Sequence, residues 1–195
     1  MTKDEIIEQF RQAGALLEGH FVLSSGLHSA AYLQCARVMM DARRGERLCR
    51  ALAGRIVERL GANAIDVVVS PAMGGVVVGY EMGRQLGVEA MFTERVDNVM
   101  SLRRGFGLTR GDRVLMAEDI VTTGKSSLEC IDCITKNGGR VVAASCLLDR
   151  SDGAADLGVP LFALAGLKLP SYEADNLPPE LAALPAVKPG SRATS

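Results

Sequence analysis

Arg113-Val-Leu-Met-Ala-Glu-Asp-Ile-Val-Thr-Thr-Gly-Lys-Ser-Ser127 decides how the rest of this chain is read. Four apolar residues, Val114 to Ala117, predict a buried strand, and two adjacent carboxylates, Glu118 and Asp119, stand at its end. A small-residue loop, Thr122 to Ser126, follows and leads into an amphipathic segment. Strand, Gly/Thr/Ser loop and helix in that order present free backbone N–H groups at a helix N-terminus, an arrangement suited to phosphate. The acids beside it need an explanation, because carboxylates repel phosphate unless a cation or a sugar hydroxyl lies between them. Thr123-Gly-Lys-Ser126 tempts a Walker reading, but the first glycine of that motif would fall at position 119, which is Asp119. Acids at that place can instead meet vicinal ribose hydroxyls while the loop beyond them holds a 5-phosphate.

Outward from this stretch, the pattern alternates. Thr2-x-x-Glu5 reads as a capping box, and Ile6, Ile7, Phe10 and Leu17 predict an opening helix over residues 2–18. Residues 19–35 read as a hairpin turning near Gly26. A second helix is expected over 41–60, with Leu48, Leu52, Ile56 and Leu60 at steps of four and Gly61 past its end. Ile65 to Val69 is a β-branched run suited to a central parallel strand, and it ends in a second tight turn, Ser70-Pro-Ala-Met-Gly-Gly75. A helix through Gln85, stopped by Gly87, and a strand over 88–93 follow. Glu94 to Arg110 has charges, two adjacent arginines and little periodicity, so a long mobile loop or ribbon is expected there. Further strands are expected over 140–148 and 159–167, the first capped by Asp149-Arg150. The Pro-rich tail from Pro170 to Ser195 has little pattern and either drapes over the fold or frays. Strands alternating with helices argue for a mainly parallel sheet flanked by helices, with ligands at the carboxyl ends of the strands. No internal repeat and no domain boundary stand out.

Composition narrows the classes. With 195 residues the chain is long enough for one well-buried α/β domain. Lys and Arg number 22 against 23 Asp and Glu, so no basic field invites nucleic acid. No apolar run approaches the roughly 20 residues of a membrane span, and the charged N-terminus does not read as a signal peptide. Five cysteines in apolar contexts favour reduced thiols and a cytoplasmic setting. Cys130-x-x-Cys133 could be half a zinc site, but it falls on a predicted helix with no second pair, where Cys133 can pack inward. His20 and His28 flank the hairpin and suit either substrate contact or a structural role.

Val114 to Ser126, an apolar strand, two acids, two apolar residues and Thr-x-Gly-x-Ser, resembles the phosphoribosyl diphosphate (PRPP) motif of the type I phosphoribosyltransferases. Leu16 to Ser29, Tyr32-Leu-Gln-Cys35, Ser70 to Val76, Leu148-Asp-Arg150 and the tail element Pro185 to Ser191 are similar to the orotate-using branch of that family, over about residues 10–167. The resemblance implies one domain over residues 1–195, with a core of about 41–167 and a small hood made of about 1–40 and the C-terminal segment. It implies transfer of phosphoribosyl from PRPP to orotate, giving orotidine 5′-monophosphate and pyrophosphate in pyrimidine synthesis, by a cytoplasmic homodimer. The alternatives are a purine phosphoribosyltransferase and a weakly active PRPP-binding regulator.

By matched position, the resemblance assigns Glu118 and Asp119 to the ribose hydroxyls and Ile120, Val121, Thr122, Thr123, Gly124, Lys125 and Ser126 to the PRPP loop. Met73, Gly74 and Arg95 would meet the pyrophosphate, and Thr122, Arg150, Tyr32 and Leu33 the orotate. Mg²⁺ would be held through PRPP, with Asp119 reaching it through water and no direct protein ligand. Glu94 to Arg110 would be a lid that excludes water, with Arg103 and Arg104 joining Glu118 and Asp119 in catalysis. Three lysines common among relatives are replaced here, by Val99 in the lid, by Gly74 and by Ser24. Either Arg103 or Arg104 supplies the charge missing at Val99, or activity is weakened. Lys125 either returns a cation near the phosphate or is an exposed helix-start residue.

Overall fold

Strands that are apolar on both faces need a covering layer on each side. The computed structural model, which describes residues 1–23 and 26–188, has both layers. The chain opens with α1 (Lys3–Gln12), where the Thr2 amide donates to Glu5 at 2.8 Å and the Glu5 amide donates to the Thr2 hydroxyl at 3.2 Å. This helix is shorter than the 2–18 expected. Gly14 takes φ +60, the Ala15 amide closes on the Phe10 carbonyl, and Leu16–Val22 becomes strand β1. A left-handed residue cannot continue a right-handed helix, so Leu17 belongs to the hairpin instead. β1 pairs antiparallel with β2 (His28–Leu33) across the turn containing Gly26. Ser24, Ser25 and the end of the Pro185–Ser191 element lie outside the described residues. A 3₁₀ turn, Cys35–Met40, leads to α2 (Ala42–Leu60), whose first amides, Arg43 and Arg44, donate to Asp41 Oδ1 at 2.9 and 3.1 Å.

The core then runs through β3 (Val67–Pro71), α3 (Gly75–Leu86), β4 (Glu89–Val96), β5 (Val99–Leu102), β6 (Arg113–Val121), α4 (Lys125–Lys136), β7 (Arg140–Asp149) and β8 (Leu161–Gly166). Among the described residues these strands form a six-stranded sheet in the order β5-β4-β3-β6-β7-β8, parallel except for β5. β3 to β4 steps one way along the sheet and β6 to β7 steps the other. Right-handed crossovers therefore put α3 and α4 on opposite faces. Burial follows: Val68, Leu115 and Ala117 pack with α1, α2 and α3, while Val67, Val69, Val114 and Met116 pack with Cys130 and Ile134 of α4. The direction reverses between β3 and β6, so their carboxyl ends part there and leave a crevice.

The segment expected as a long loop is a ribbon in its first half. Asp97 and Asn98 take φ +48 and +64, the two left-handed residues of a tight hairpin turn that joins β4 to β5. The tail drapes over the hairpin. It contributes β9 (Ser171–Tyr172), the short α5 (Pro179–Ala182) and β10 (Ala186–Val187), giving a second sheet in the order β10-β1-β2-β9. His20 ties this sheet together: its Nδ1 donates to the Leu184 carbonyl at 3.0 Å and its Nε2 lies 2.5 Å from His28 Nδ1. No helix of the described residues is long and apolar enough to cross a membrane.

Candidate active site

The crevice between the ends of β3 and β6 holds a cavity of about 290 Å³, lined by Pro71, Ala72 and Gly74 on one side and by every residue from Glu118 to Ser127 on the other. β6 runs longer than the apolar stretch suggested, so the two acids lie within the strand, where β7 pairs alongside Glu118, Ile120 and Val121. Glu118 and Asp119 are 7 % and 8 % exposed. The Asp119 amide donates to Glu118 Oε1 at 3.3 Å, and the Ile120 amide to Asp119 Oδ1 at 2.8 Å. Burial, and then the charge of Asp119, raise the Glu118 carboxyl well above the usual range, and burial raises Asp119 as well. Two desolvated carboxyls in contact, with no cation paired to either among the described residues, form a site that a cation or sugar hydroxyls would satisfy.

Backbone geometry holds the acids open to the cavity. A Cβ at Gly74 would stand 3.0 Å from both Asp119 carboxylate oxygens, and one at Gly75 would stand 3.1 Å from Glu118 Oε1 and the Ala117 carbonyl. Glycine at both positions lets the start of α3 approach the acids without crowding them. Across the crevice, Gly124 takes φ +78, and a Cβ there would press to 2.8 Å on Leu157. Gly124 starts α4 without a side-chain cap, so its first amides face the cavity free of side-chain partners, apart from Lys125, whose amide reaches Thr123 Oγ1 at 3.4 Å.

Arg150 follows β7 and is fixed to the same loop, its amide donating to the Val121 carbonyl at 2.8 Å. Its Nε is buried without a hydrogen-bond partner among the described residues, and desolvation lowers the pKa of the guanidinium. The Cys35 thiol is buried nearby and stays neutral, raised first by desolvation and then by the acid Asp119. Tyr32 and the buried Leu33 end β2 next to this group. The structure thus gathers Glu118 to Ser127 and Gly74 around one opening, while Arg150 is joined to its loop through the bond to Val121 and Tyr32, Leu33 and the exposed Met73 are not in its lining.

Other expected residues lie away from it. Arg95 is paired with Glu129 on α4 and donates to the Asn98 carbonyl at 3.3 Å. Arg104 donates to Glu94 at 3.1 Å and sits 5.7 Å over the Phe92 ring, while Arg103 lies 3.9 Å from the same Glu94. None of the three lines the cavity. Val99 is exposed on the ribbon. Cys130 faces inward, 3.5 Å from Thr93 Oγ1, and the Asn137 side chain reaches Cys133 Sγ at 3.7 Å. One residue escaped the sequence reading: Asp149, quoted there only beside Arg150, is buried and accepts three hydrogen bonds from the loop after it. An acid followed at two and four residues by Ser151 and Gly153 is the turn signal that marks it.

Comparison with known proteins places this fold and crevice in a class. Residues 39–158 match the phosphoribosyl transferase domain family. The orotate phosphoribosyltransferase of Novosphingobium aromaticivorans is 61 % identical over 99 % of both chains, and that of Maricaulis maris is 58 % identical over 98 % of both. Among solved structures, orotate phosphoribosyltransferase from Aeropyrum pernix superposes with a TM-score of 0.67 at 27 % identity, covering 83 % of this chain and 93 % of the other. Fold and pocket define a type I phosphoribosyltransferase, and the chain belongs to the orotate phosphoribosyltransferase family.

Proposed function

We propose that the chain transfers the phosphoribosyl group of PRPP to orotate, releasing pyrophosphate and forming orotidine 5′-monophosphate for pyrimidine biosynthesis. The observation that carries this reading is the meeting, in one crevice, of a desolvated acid pair and a glycine loop with free helix amides, to which an arginine with a buried Nε unpartnered among the described residues is bonded through its backbone. In this reading the amides from Thr122 to Ser126 receive the 5-phosphate. Glu118 and Asp119 hold the ribose hydroxyls beside a sugar that becomes cationic as its bond to diphosphate breaks, a charge that favours their ionised forms. Met73, Gly74 and the first amides of α3 face the departing pyrophosphate. Arg150 offers its planar fork to the carboxylate of orotate, Tyr32 and Leu33 border the ring, and Thr122 completes the base contact.

Magnesium fits this chemistry. Oxygen donors suit it, and among the described residues no three His, Cys, Asp or Glu side chains could hold a metal by themselves. It would therefore be held through PRPP oxygens, with Asp119 reaching it through water, and when bound it would supply Lewis-acid neutralisation of the diphosphate. The chain acts as a homodimer in the cytoplasm, as one domain whose four-stranded sheet is the hood. Arg103 and Arg104 act on the pyrophosphate from a rearranged ribbon and Arg95 from the ribbon or across the dimer, none of the three lining the cavity within one chain.

The deciding measurement is the orotate absorbance on addition of PRPP, with and without Mg²⁺. Loss of absorbance that needs both is expected. Turnover of guanine or xanthine but not of orotate would overturn the reading. Binding of PRPP without turnover of any base would make the chain a regulator.

A further inference from the structure

The scheme above leaves one buried carboxylate without a role. Asp149 ends β7 directly before Arg150 and is 8 % exposed. Its Oδ1 accepts from the Ser151 amide at 2.8 Å and from the Ser151 hydroxyl at 2.6 Å, and its Oδ2 accepts from the Gly153 amide at 3.2 Å. The Ser151 hydroxyl in turn accepts from the Ala155 amide at 3.0 Å. Asp152 and Gly153, at φ +58 and +79, turn the chain back on itself.

This wrapped loop fixes Arg150 from its C-terminal side, while the bond from the Arg150 amide to Val121 fixes it against β6. A half-buried guanidinium whose Nε has no hydrogen-bond partner among the described residues is not aimed by an acceptor at that nitrogen. Its direction is set by its backbone. Hydrogen bonds to an ionised acceptor are about twice as strong as neutral ones. An aspartate gripping two amides and a hydroxyl therefore stiffens that backbone more than a neutral turn residue would.

We propose that Asp149 is a positioning residue that sets the aim of Arg150 and thereby the preference for a base bearing a carboxylate. The inference rests on the reading of Arg150 as the contact to orotate, and its test separates the two. Calorimetric dissociation constants for orotidine 5′-monophosphate and for uridine 5′-monophosphate, which lacks the carboxylate, are compared in each variant. Both ligands carry the same ribose phosphate, so effects on the phosphate loop cancel in their ratio.

Arg150→Gln is expected to abolish the preference for the carboxylated nucleotide. Asp149→Asn, which turns an NH₂ toward the Gly153 amide, is expected to reduce that preference by ~10-fold, the scale of a lost charge-assisted hydrogen bond. Added to Arg150→Gln, it should change the ratio by less than about twofold, because residues that act through one another are not additive. An unchanged ratio in Asp149→Asn, with the preference lost in Arg150→Gln, overturns the positioning role and leaves Arg150 in place. An unchanged ratio in Arg150→Gln overturns both. A further fall in the ratio when Asp149→Asn joins Arg150→Gln shows an action that bypasses Arg150, and it also overturns the proposal. If circular dichroism shows Asp149→Asn unfolded, Ser151→Ala carries the same test, with a reduction of about 2–5-fold expected.

Discussion

Glu118 and Asp119 are held in a state that folding alone would not choose. The Glu118 carboxyl is raised by burial and by its neighbour, to about 9. Its folded-state value thus lies above its unfolded one, and the folded protein binds more protons across the interval between them. Stability contributed by this group is accordingly greatest below the ordinary carboxylate range and falls as pH rises toward 9. Glu118→Gln removes that dependence while keeping a donor for Asp119. The variant should melt higher than the parent at pH 8, by ~2–4 °C for each kcal/mol relieved in a chain of this size, and the two curves should meet near pH 4. Its kcat/KM should fall by roughly 10–100-fold through loss of a carboxyl contact to the ribose. Equal melting temperatures at pH 8 would remove the strained-acid account. Gly74 and Gly124 show the same logic in the backbone, since a methyl group at Gly74 would crowd Asp119 at 3.0 Å and the φ of +78 at Gly124 disfavours any side chain.

At the scale of elements, the ribbon β4-β5 is the part whose resting contacts and proposed role differ most. Its arginines are engaged with Glu94 and the Phe92 ring, and Arg95 with Glu129. Exposed pairs of this kind contribute only about 0.2–1 kcal/mol each, so a diphosphate can compete for them. Replacing Arg103 and Arg104 together by alanine should lower kcat by at least ~10-fold with the orotate KM within about twofold, the pattern of a contact made only in the transition state. Undiminished kcat would take the ribbon out of catalysis. The turn that builds this ribbon, Asp97-Asn98, was open to reading from the chain, because two residues tolerant of positive φ between apolar runs mark a tight hairpin. The charges around it hid that signal and suggested a longer loop.

Over the whole molecule, two sheets carry separate duties. The six-stranded sheet builds the crevice, and the four-stranded sheet carries Tyr32 and Leu33 at the end of β2. The latter depends on chain segments far apart in sequence, since β9 and β10 flank the hairpin and Leu184 bonds to His20. A two-stranded hairpin by itself is marginal in water. Ending the chain at Leu169 should therefore leave the parallel sheet folded, seen as retained far-ultraviolet dichroism. Limited proteolysis should then cut within residues 16–33 at least ~10-fold faster than in the full chain. An equally protected hairpin would show that the tail lends it no stability.

The sequence by itself settled the alternation of strands and helices, the two glycine turns and the acid pair, and with them the class of ligand. Those features are local: β-branched runs, helical spacing, left-handed glycines and the order strand-loop-helix are written in neighbouring residues. The end of α1 at Gly14, the entry of Glu118 and Asp119 into β6, the placement of Arg95 on the α4 side and the grip of Asp149 on its loop depend instead on pairing. β7 alongside β6 extends the strand past its apolar run, and α4 beyond it supplies Glu129 to Arg95. Whether a charged side chain turns toward a pocket or toward a neighbour is decided by which partner comes within about 4 Å, and that distance exists only once distant segments have packed.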